Sequence, residues 1–129
     1  MYRVLIVEDE DIIRKGIAYT MDWMSMDCVI AGEAANGKEG VEKILELRPD
    51  IVVADIMMPY MNGIEMIRST KDQVPYKSIL LTSYAEFSYA KQAIDLKVSD
   101  YLMNHLLCIQ LRVSWIEEAY NHLLQESRH

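Results

Sequence analysis

A single aspartate, Asp55, follows an uninterrupted apolar run at positions 51–54 and precedes Pro59 by four positions. Half-buried strands alternate apolar with polar residues, so this run predicts a strand that is buried on both faces. Proline cannot extend a central strand, and the strand therefore ends between Asp55 and Pro59. Asp55 thus lies at the carboxyl end of a buried strand, where open α/β sheets place their ligand crevice. Its carboxylate either has a chemical task or is capped by local backbone amides, and this stretch alone does not decide.

A run of four acids follows the first apolar run of the chain: Glu8-Asp9-Glu10-Asp11. The last two are typical of a solvated turn or of a first helical turn, where negative charge suits the helix dipole. Glu8 and Asp9 instead come directly after a strand, at the same sheet edge as Asp55. Three carboxylates at one edge repel one another unless a cation joins them, and hard oxygen ligands suit Mg²⁺. The sequence therefore predicts a magnesium site at this edge.

A magnesium ion bound by carboxylates keeps several waters and can accept a phosphoryl group as a ligand. Asp55 stands alone on the central predicted strand and is the natural nucleophile for such a group, which would give an aspartyl phosphate. Thr82 ends the next predicted strand and could donate a hydrogen bond to the phosphoryl group. Asn104 follows the last predicted strand at the same edge.

Other chemistries agree less well with the sequence. It contains no glycine-rich dinucleotide motif, no Walker A loop and no nucleophile elbow. The three histidines, His105, His122 and His129, show no zinc-ligand spacing. Residue 57 is Met, whereas a phosphatase of the haloacid dehalogenase kind would place a second acid there.

The elements that position these residues are strands alternating with helices. Predicted strands cover residues 4–7, 29–34, 50–55, 78–82 and 100–103. The residues at helical spacing expected to face the core are Ile13, Ile17, Met21 and Met24, then Val41, Ile44 and Leu45, then Ile64 and Ile67. Capping signatures at Asn36, Asn62 and Ser83 open the second, third and fourth helices, and a last helix spans Ile109 to Leu123. This alternation predicts a three-layer α/β domain with a parallel sheet and right-handed crossovers.

Length and composition set further bounds. The 129 residues correspond to one domain, and no apolar run approaches a membrane span. The formal charge of −7 argues against binding of this chain to a phosphate backbone. Cys28 and Cys108 have no metal-ligand spacing and are expected to be packed thiols in a reducing cytoplasm. The first residues enter a strand without a signal-peptide layout.

Together, these motifs resemble the receiver domain of bacterial two-component response regulators. The resemblance covers residues 3 to about 103 and rests on four segments in order: Val4-Leu5-Ile6-Val7-Glu8-Asp9-Glu10, Asp55-Ile56-Met57-Met58-Pro59-Tyr60-Met61-Asn62-Gly63, Leu81-Thr82-Ser83-Tyr84 and Asp100-Tyr101-Leu102. The resemblance implies a flavodoxin-like (βα)5 fold, a doubly wound parallel sheet of five strands in the order 2-1-3-4-5. The segment Tyr84-Ala85-Glu86-Phe87-Ser88-Tyr89-Ala90-Lys91 is most similar to receivers joined to AraC-type DNA-binding domains, of the YesN-like kind.

The resemblance also implies roles for individual residues. Asp55 would accept phosphate from a sensor histidine kinase, with Mg²⁺ held by Glu8, Asp9, Asp55 and the backbone carbonyl of Met57. Thr82 would be the hydroxyl that moves toward the phosphoryl group. Tyr101 would be the aromatic side chain that follows it inward. Receivers of this kind usually pair through the face formed by the fourth helix, the fifth strand and the last helix.

Asn104 departs from the family pattern, which has Lys-Pro where this chain has Asn104-His105. The lysine supplies a positive charge to the phosphoryl group, and losing a contact to a charged group costs about 1.5–3 kcal/mol. The apolar run that follows leaves three interpretations open: Asn104 caps the last helix, the helix begins at Ser114, or an apolar patch is used for association.

Two hypotheses follow for function. In the first, residues 1–129 form a single receiver domain, without an output domain, that is phosphorylated on Asp55 and switches transcription through a DNA-binding domain elsewhere. In the second, the Asn104 substitution leaves a pseudo-receiver, a binding or dimerisation module that does not depend on phosphate. An enzyme acting on an external substrate is not expected, because no substrate pocket signature is present. We expect a cytoplasmic protein with no membrane contact.

Overall fold

The computed structural model describes residues 1–81 with their side chains and residues 82 and 100–103 as backbone. In these ranges it contains β1 (Tyr2–Val7), α1 (Asp11–Thr20), a 3-10 turn (Met24–Met26), β2 (Cys28–Ala34), α2 (Gly37–Leu47), β3 (Ile51–Asp55), α3 (Gly63–Thr70), β4 (Lys77–Thr82) and β5 (Asp100–Met103). The predicted fourth and last helices, Asn104, Cys108 and the histidines lie outside the described residues.

The sheet is parallel and has the strand order β2-β1-β3-β4-β5. This confirms the predicted doubly wound order, in which β3 is central and β1 and β4 flank it. Because all strands run the same way, their carboxyl ends meet at one edge. Each strand-to-helix connection of the described residues therefore leaves the sheet on the side where the predicted acids lie.

The apolar residues of the central strands alternate between two cores, one on each face of the sheet. The first core contains Val4, Ile6, Ile13, Ile17, Met21, Trp23, Cys28, Ile51, Val53, Ile79 and Leu81. The second contains Leu5, Val7, Ala34, Ile44, Val52, Ala54, Ile56, Ile64, Met66, Ile67, Val74 and Leu80. Successive strand residues point to opposite faces, so only a strand covered on both sides needs an apolar residue at every position.

Both predicted asparagine caps are present. The Asn36 side chain accepts the amide of Glu39 at 2.8 Å, and the Asn62 side chain accepts the amide of Glu65 at 2.8 Å. These bonds satisfy helix amides that have no partner within the helix. They fix where α2 and α3 begin, and α3 begins eight residues after Asp55.

Two of the predicted core positions are wrong. Met24 is 70% exposed, because α1 ends at Thr20 and the chain leaves the helix direction before reaching it. Leu45 is 41% exposed, because the buried face of α2 follows Gly37, Gly40 and Ile44. Trp23, by contrast, is buried in the core, and its indole N–H donates to the Ile17 carbonyl at 3.0 Å.

Cys28 is buried in the core, as expected. Among the described residues, no helix combines the length and apolar character that crossing a membrane requires.

Candidate metal and phosphoryl site

Three carboxylates meet at the carboxyl edge of the sheet. Glu8 and Asp9 follow β1, and Asp55 ends β3, which lies next to β1 in the sheet. One oxygen of each carboxylate lies within 4.8 Å of the others. The structure thus brings together the three side chains that the sequence predicted, because the parallel register of β1 and β3 places their ends side by side.

The three acids differ in exposure. Glu8 is 1% exposed, Asp55 is partly buried and Asp9 is exposed. The amide of Glu8 donates to the Ala34 carbonyl at 3.0 Å, which extends the β1–β2 pairing by one residue and holds Glu8 at the sheet. The next amide after Asp55, that of Ile56, likewise donates to Leu81 at 3.0 Å. The cluster is therefore anchored on the sheet at both strands.

The donor set agrees with a small hard cation. Around an octahedral Mg²⁺ with ligands at about 2.1 Å, neighbouring oxygens lie about 3 Å apart and opposite ones about 4.2 Å apart. The three carboxylates offer oxygens within 4.8 Å of one another, a separation close to this range. Carboxylate oxygens without sulfur or imidazole favour magnesium over softer metals.

The loop from β3 to α3 is held against the site by backbone contacts. The Met57 amide donates to the Asp55 carboxylate at 3.3 Å, and the Gly63 amide donates to the Ile56 carbonyl at 2.9 Å. A Cβ on Gly63 would stand 2.5 Å from the Asp55 carbonyl oxygen, so only glycine allows α3 to begin this close to the site. Within the loop, Tyr60 adopts a φ of 69° and is 87% exposed.

Sequence reasoning missed Arg14, which contacts the backbone of Glu8. Its guanidinium donates to the Glu8 carbonyl at 2.8 Å, to Glu33 at 3.2 Å and to the Asp11 carboxylate. Burial would lower the pKa of Arg14, but the hydrogen bonds and charges of Asp11 and Glu33 outweigh it and raise the pKa, so the group stays charged. The sequence did contain a signal for this role of Arg14. The arginine comes three residues after the acid run and shares the buried face of α1 with Ile13 and Ile17.

For the remaining predicted site residues, the structure describes only the backbone of Thr82 and Tyr101. Thr82 is the last residue of β4, one position beyond Leu81, which pairs with Asp55. Tyr101 lies in β5 and pairs with Leu80. Asn104 lies outside the described residues.

A family model for the response regulator receiver domain matches residues 4–111. The chain belongs to this family. The receiver is 36% identical to the transcriptional regulatory protein YesN of Bacillus subtilis over 130 aligned positions, which cover the whole chain and 35% of YesN. It is 35% identical to the response regulator protein VraR of Staphylococcus saprophyticus over 102 residues, 78% of this chain and 48% of VraR. The receiver thus spans about a third to a half of the length of these relatives.

Solved receiver structures superpose on this one. The REC domain of AraT, a response regulator from Geobacillus stearothermophilus, has a TM-score of 0.80 at 35% identity, covering 98% of each chain. The response regulator domain of Thermotoga maritima CheB has a TM-score of 0.83 at 27% identity, covering 95% of each chain. These comparisons confirm the flavodoxin-like receiver fold expected from the sequence.

Proposed function

We propose that this receiver is phosphorylated on Asp55 in a magnesium-dependent reaction and that a sensor histidine kinase supplies the phosphoryl group. The observation that carries the proposal is the carboxylate cluster, whose oxygens lie within 4.8 Å of one another at the carboxyl edge of the sheet. Membership of the receiver family supports the same conclusion.

In the proposed reaction a carboxylate oxygen of Asp55 attacks the phosphorus of the donor. A P–O bond to Asp55 forms while the bond from phosphorus to the donor breaks, and the leaving imidazole or acetate keeps the electron pair. Bound magnesium would neutralise charge on the phosphoryl oxygens. Glu8, Asp9, Asp55 and the carbonyl of Met57 would hold the ion, and the Met57 amide orients the Asp55 carboxylate at 3.3 Å.

The switch that follows phosphorylation is assigned to the neighbouring strands. Thr82 would donate its hydroxyl to the phosphoryl group, and Tyr101 would then move inward. Support comes from the register, which puts the end of β4 beside Asp55. Asn104 would give a neutral contact where the family has a lysine. The pseudo-receiver alternative depended on Asn104, while the carboxylate cluster favours the phosphoacceptor.

The relatives support a proposal for the wider role of the domain. We propose that the domain acts on no external substrate beyond hydrolysing its own aspartyl phosphate, and that it controls transcription through a DNA-binding domain in a longer cytoplasmic protein. YesN, a transcriptional regulatory protein about three times as long as the matched region, supports this output. Pairing of two receivers through the face that contains β5 is part of the same proposal.

Intact mass after incubation with acetyl phosphate and Mg²⁺ tests the phosphoacceptor role. We expect one added phosphoryl group on the wild type, none on Asp55→Asn and none when EDTA removes the metal. Asp72→Asn is the matched control, because Asp72 lies in the α3–β4 connection at the opposite edge of the sheet. A wild-type protein that binds Mg²⁺ but gains no phosphoryl group would refute the proposal and favour the pseudo-receiver.

A further inference from the structure

Arg14 is a buried cation that joins three separate segments of the chain. The residue is 8% exposed although it lies on a helix at the protein surface. Its guanidinium donates to the backbone of the β1–α1 connection, to Asp11 in the first turn of α1, and to Glu33 near the end of β2. Burying an arginine is costly unless its charge and its N–H groups are satisfied, and here several partners satisfy them.

The contact with the backbone falls on a residue of the metal site. Arg14 Nη1 donates to the carbonyl oxygen of Glu8 at 2.8 Å, in a buried position. On its other side, the Glu8 amide donates to the Ala34 carbonyl at 3.0 Å. The backbone of Glu8 is thus held from both directions, by β2 and by Arg14, and this sets the point from which its buried carboxylate reaches the cluster.

Glu33 ties this arrangement to the sheet. Its carboxylate accepts from Arg14 Nε at 3.2 Å and from the Tyr19 hydroxyl at 3.1 Å. It directly precedes Ala34, whose carbonyl holds Glu8. The planar guanidinium of Arg14 therefore connects the end of β2 to the start of α1. The ammonium group of a lysine could not make the same set of contacts, because it lacks the planar fork of N–H donors.

We propose that Arg14 is a positioning residue for the metal site, which it serves by fixing the Glu8 backbone so that the Glu8 carboxylate meets those of Asp9 and Asp55. The inference rests on the proposed function. Two effects of removing Arg14 act on Mg²⁺ affinity in opposite directions. Loss of a positive charge near the cation site raises the affinity by electrostatics alone, whereas loss of the positioning contact lowers the affinity. Groups that orient a ligand residue typically change metal affinity by about 10- to 100-fold when removed.

Lys15 provides the matched control. It neighbours Arg14 and carries the same charge, but its side chain is 56% exposed. Within the described part of the chain, its ammonium reaches Glu33, at 3.8 Å, and the face of the Tyr19 ring. Lys15→Gln therefore removes the charge without removing the contact to Glu8. We expect Lys15→Gln to leave Mg²⁺ affinity unchanged or slightly higher, and Arg14→Gln to lower it by about 10-fold or more.

The experiment is a Mg²⁺ titration followed by backbone amide NMR shifts, on wild type, Arg14→Gln, Arg14→Lys and Lys15→Gln. The spectra report at once whether each variant is folded. Arg14→Lys keeps the charge and answers the question if Arg14→Gln does not fold: weaker Mg²⁺ binding supports the proposal, and wild-type binding overturns it. Unchanged or tighter binding by folded Arg14→Gln also overturns it.

Phosphorylation by acetyl phosphate separates this inference from the proposed function. Wild type that binds no Mg²⁺ and accepts no phosphoryl group would refute the proposed function and this inference with it. Wild type that does both, beside Arg14 variants that bind Mg²⁺ normally, would refute the role of Arg14 alone. In the supporting case, saturating Mg²⁺ restores part of the phosphorylation rate of the Arg14 variants.

Discussion

Gly37, the first residue of α2, touches the β3–α3 loop so closely that any side chain must displace the loop. A Cβ on Gly37 would stand 2.1 Å from the Met61 carbonyl oxygen and 2.7 Å from its carbonyl carbon. The Gly37 amide already donates to that oxygen at 3.1 Å. Since the obstructing atoms are backbone, the loop has to retreat by about 1 Å before the contact becomes tolerable.

Such a displacement reaches the phosphoryl site through the loop. The same loop carries Met57, whose amide holds the Asp55 carboxylate. A misplacement of about 1 Å near reacting groups can slow a reaction about 100-fold, so we expect Gly37→Ala to slow phosphorylation of Asp55 by about 10- to 100-fold. The forced contact and the weakened hydrogen bond also cost about 1–3 kcal/mol of unfolding free energy.

Gly40→Ala separates the effect on the site from the loss of stability. Its Cβ would stand 2.4 Å from the Met66 sulfur and 3.3 Å from a Val7 methyl group, both side-chain atoms of the core. Because these side chains can move aside, the same substitution in the same helix costs at most about 1–3 kcal/mol by overpacking, and it does not press on the loop.

The assay is a mass-spectrometric time course of phosphoryl incorporation from acetyl phosphate, with urea unfolding of each variant. Gly37→Ala should be slow and Gly40→Ala close to wild type. Equal rates for the two alanine variants would refute the reasoning that the loop must hold its position.

Three further predictions concern stability, each measured by urea unfolding. Ile44→Ala, at a fully buried site, costs about 2–5 kcal/mol and Leu45→Ala about 0.5 kcal/mol; equal losses would contradict the assigned core face of α2. Asn62→Ala removes the cap of α3 and costs about 1 kcal/mol, whereas Asn62→Asp keeps it. Burial raises the pKa of Tyr76, and the hydrogen bond with Thr70 has a smaller opposite effect. Because the tyrosine ionises more readily in the unfolded chain, the free energy of unfolding decreases as the pH rises above about 10. A Tyr76→Phe variant whose free energy of unfolding falls as steeply with pH as that of wild type would contradict this.

The carboxylate cluster was predictable because it depends only on strand ends. Each apolar run marks a strand, parallel strands share an edge, and Glu8, Asp9 and Asp55 stand at that edge. The caps at Asn36 and Asn62 were predictable for a related reason, since a cap is a contact between residues three apart. Local spacing carries all of this information.

The exposure of individual side chains was less predictable. Leu45 has the helical spacing of a core residue, but α2 rests on the sheet through Gly40 and Ile44, which leaves Leu45 partly in solvent. Met24 lies four residues beyond the end of α1 at Thr20, so its helical spacing from Ile17 and Met21 does not place it on the core face. A periodic pattern gives the face of a helix only to within about one residue.

By itself, then, the sequence determined the layer order, the acidic edge and the identity of the phosphoacceptor candidate, because these follow from patterns of neighbouring residues. Only the tertiary structure decided that Arg14 donates hydrogen bonds to the Glu8 carbonyl and to Glu33. It also decided that position 37 has no room for a side chain next to the backbone of Met61. Those contacts join segments that are distant in the chain or on different elements. Their geometry depends on how α1 and α2 pack against the sheet, which no local spacing encodes.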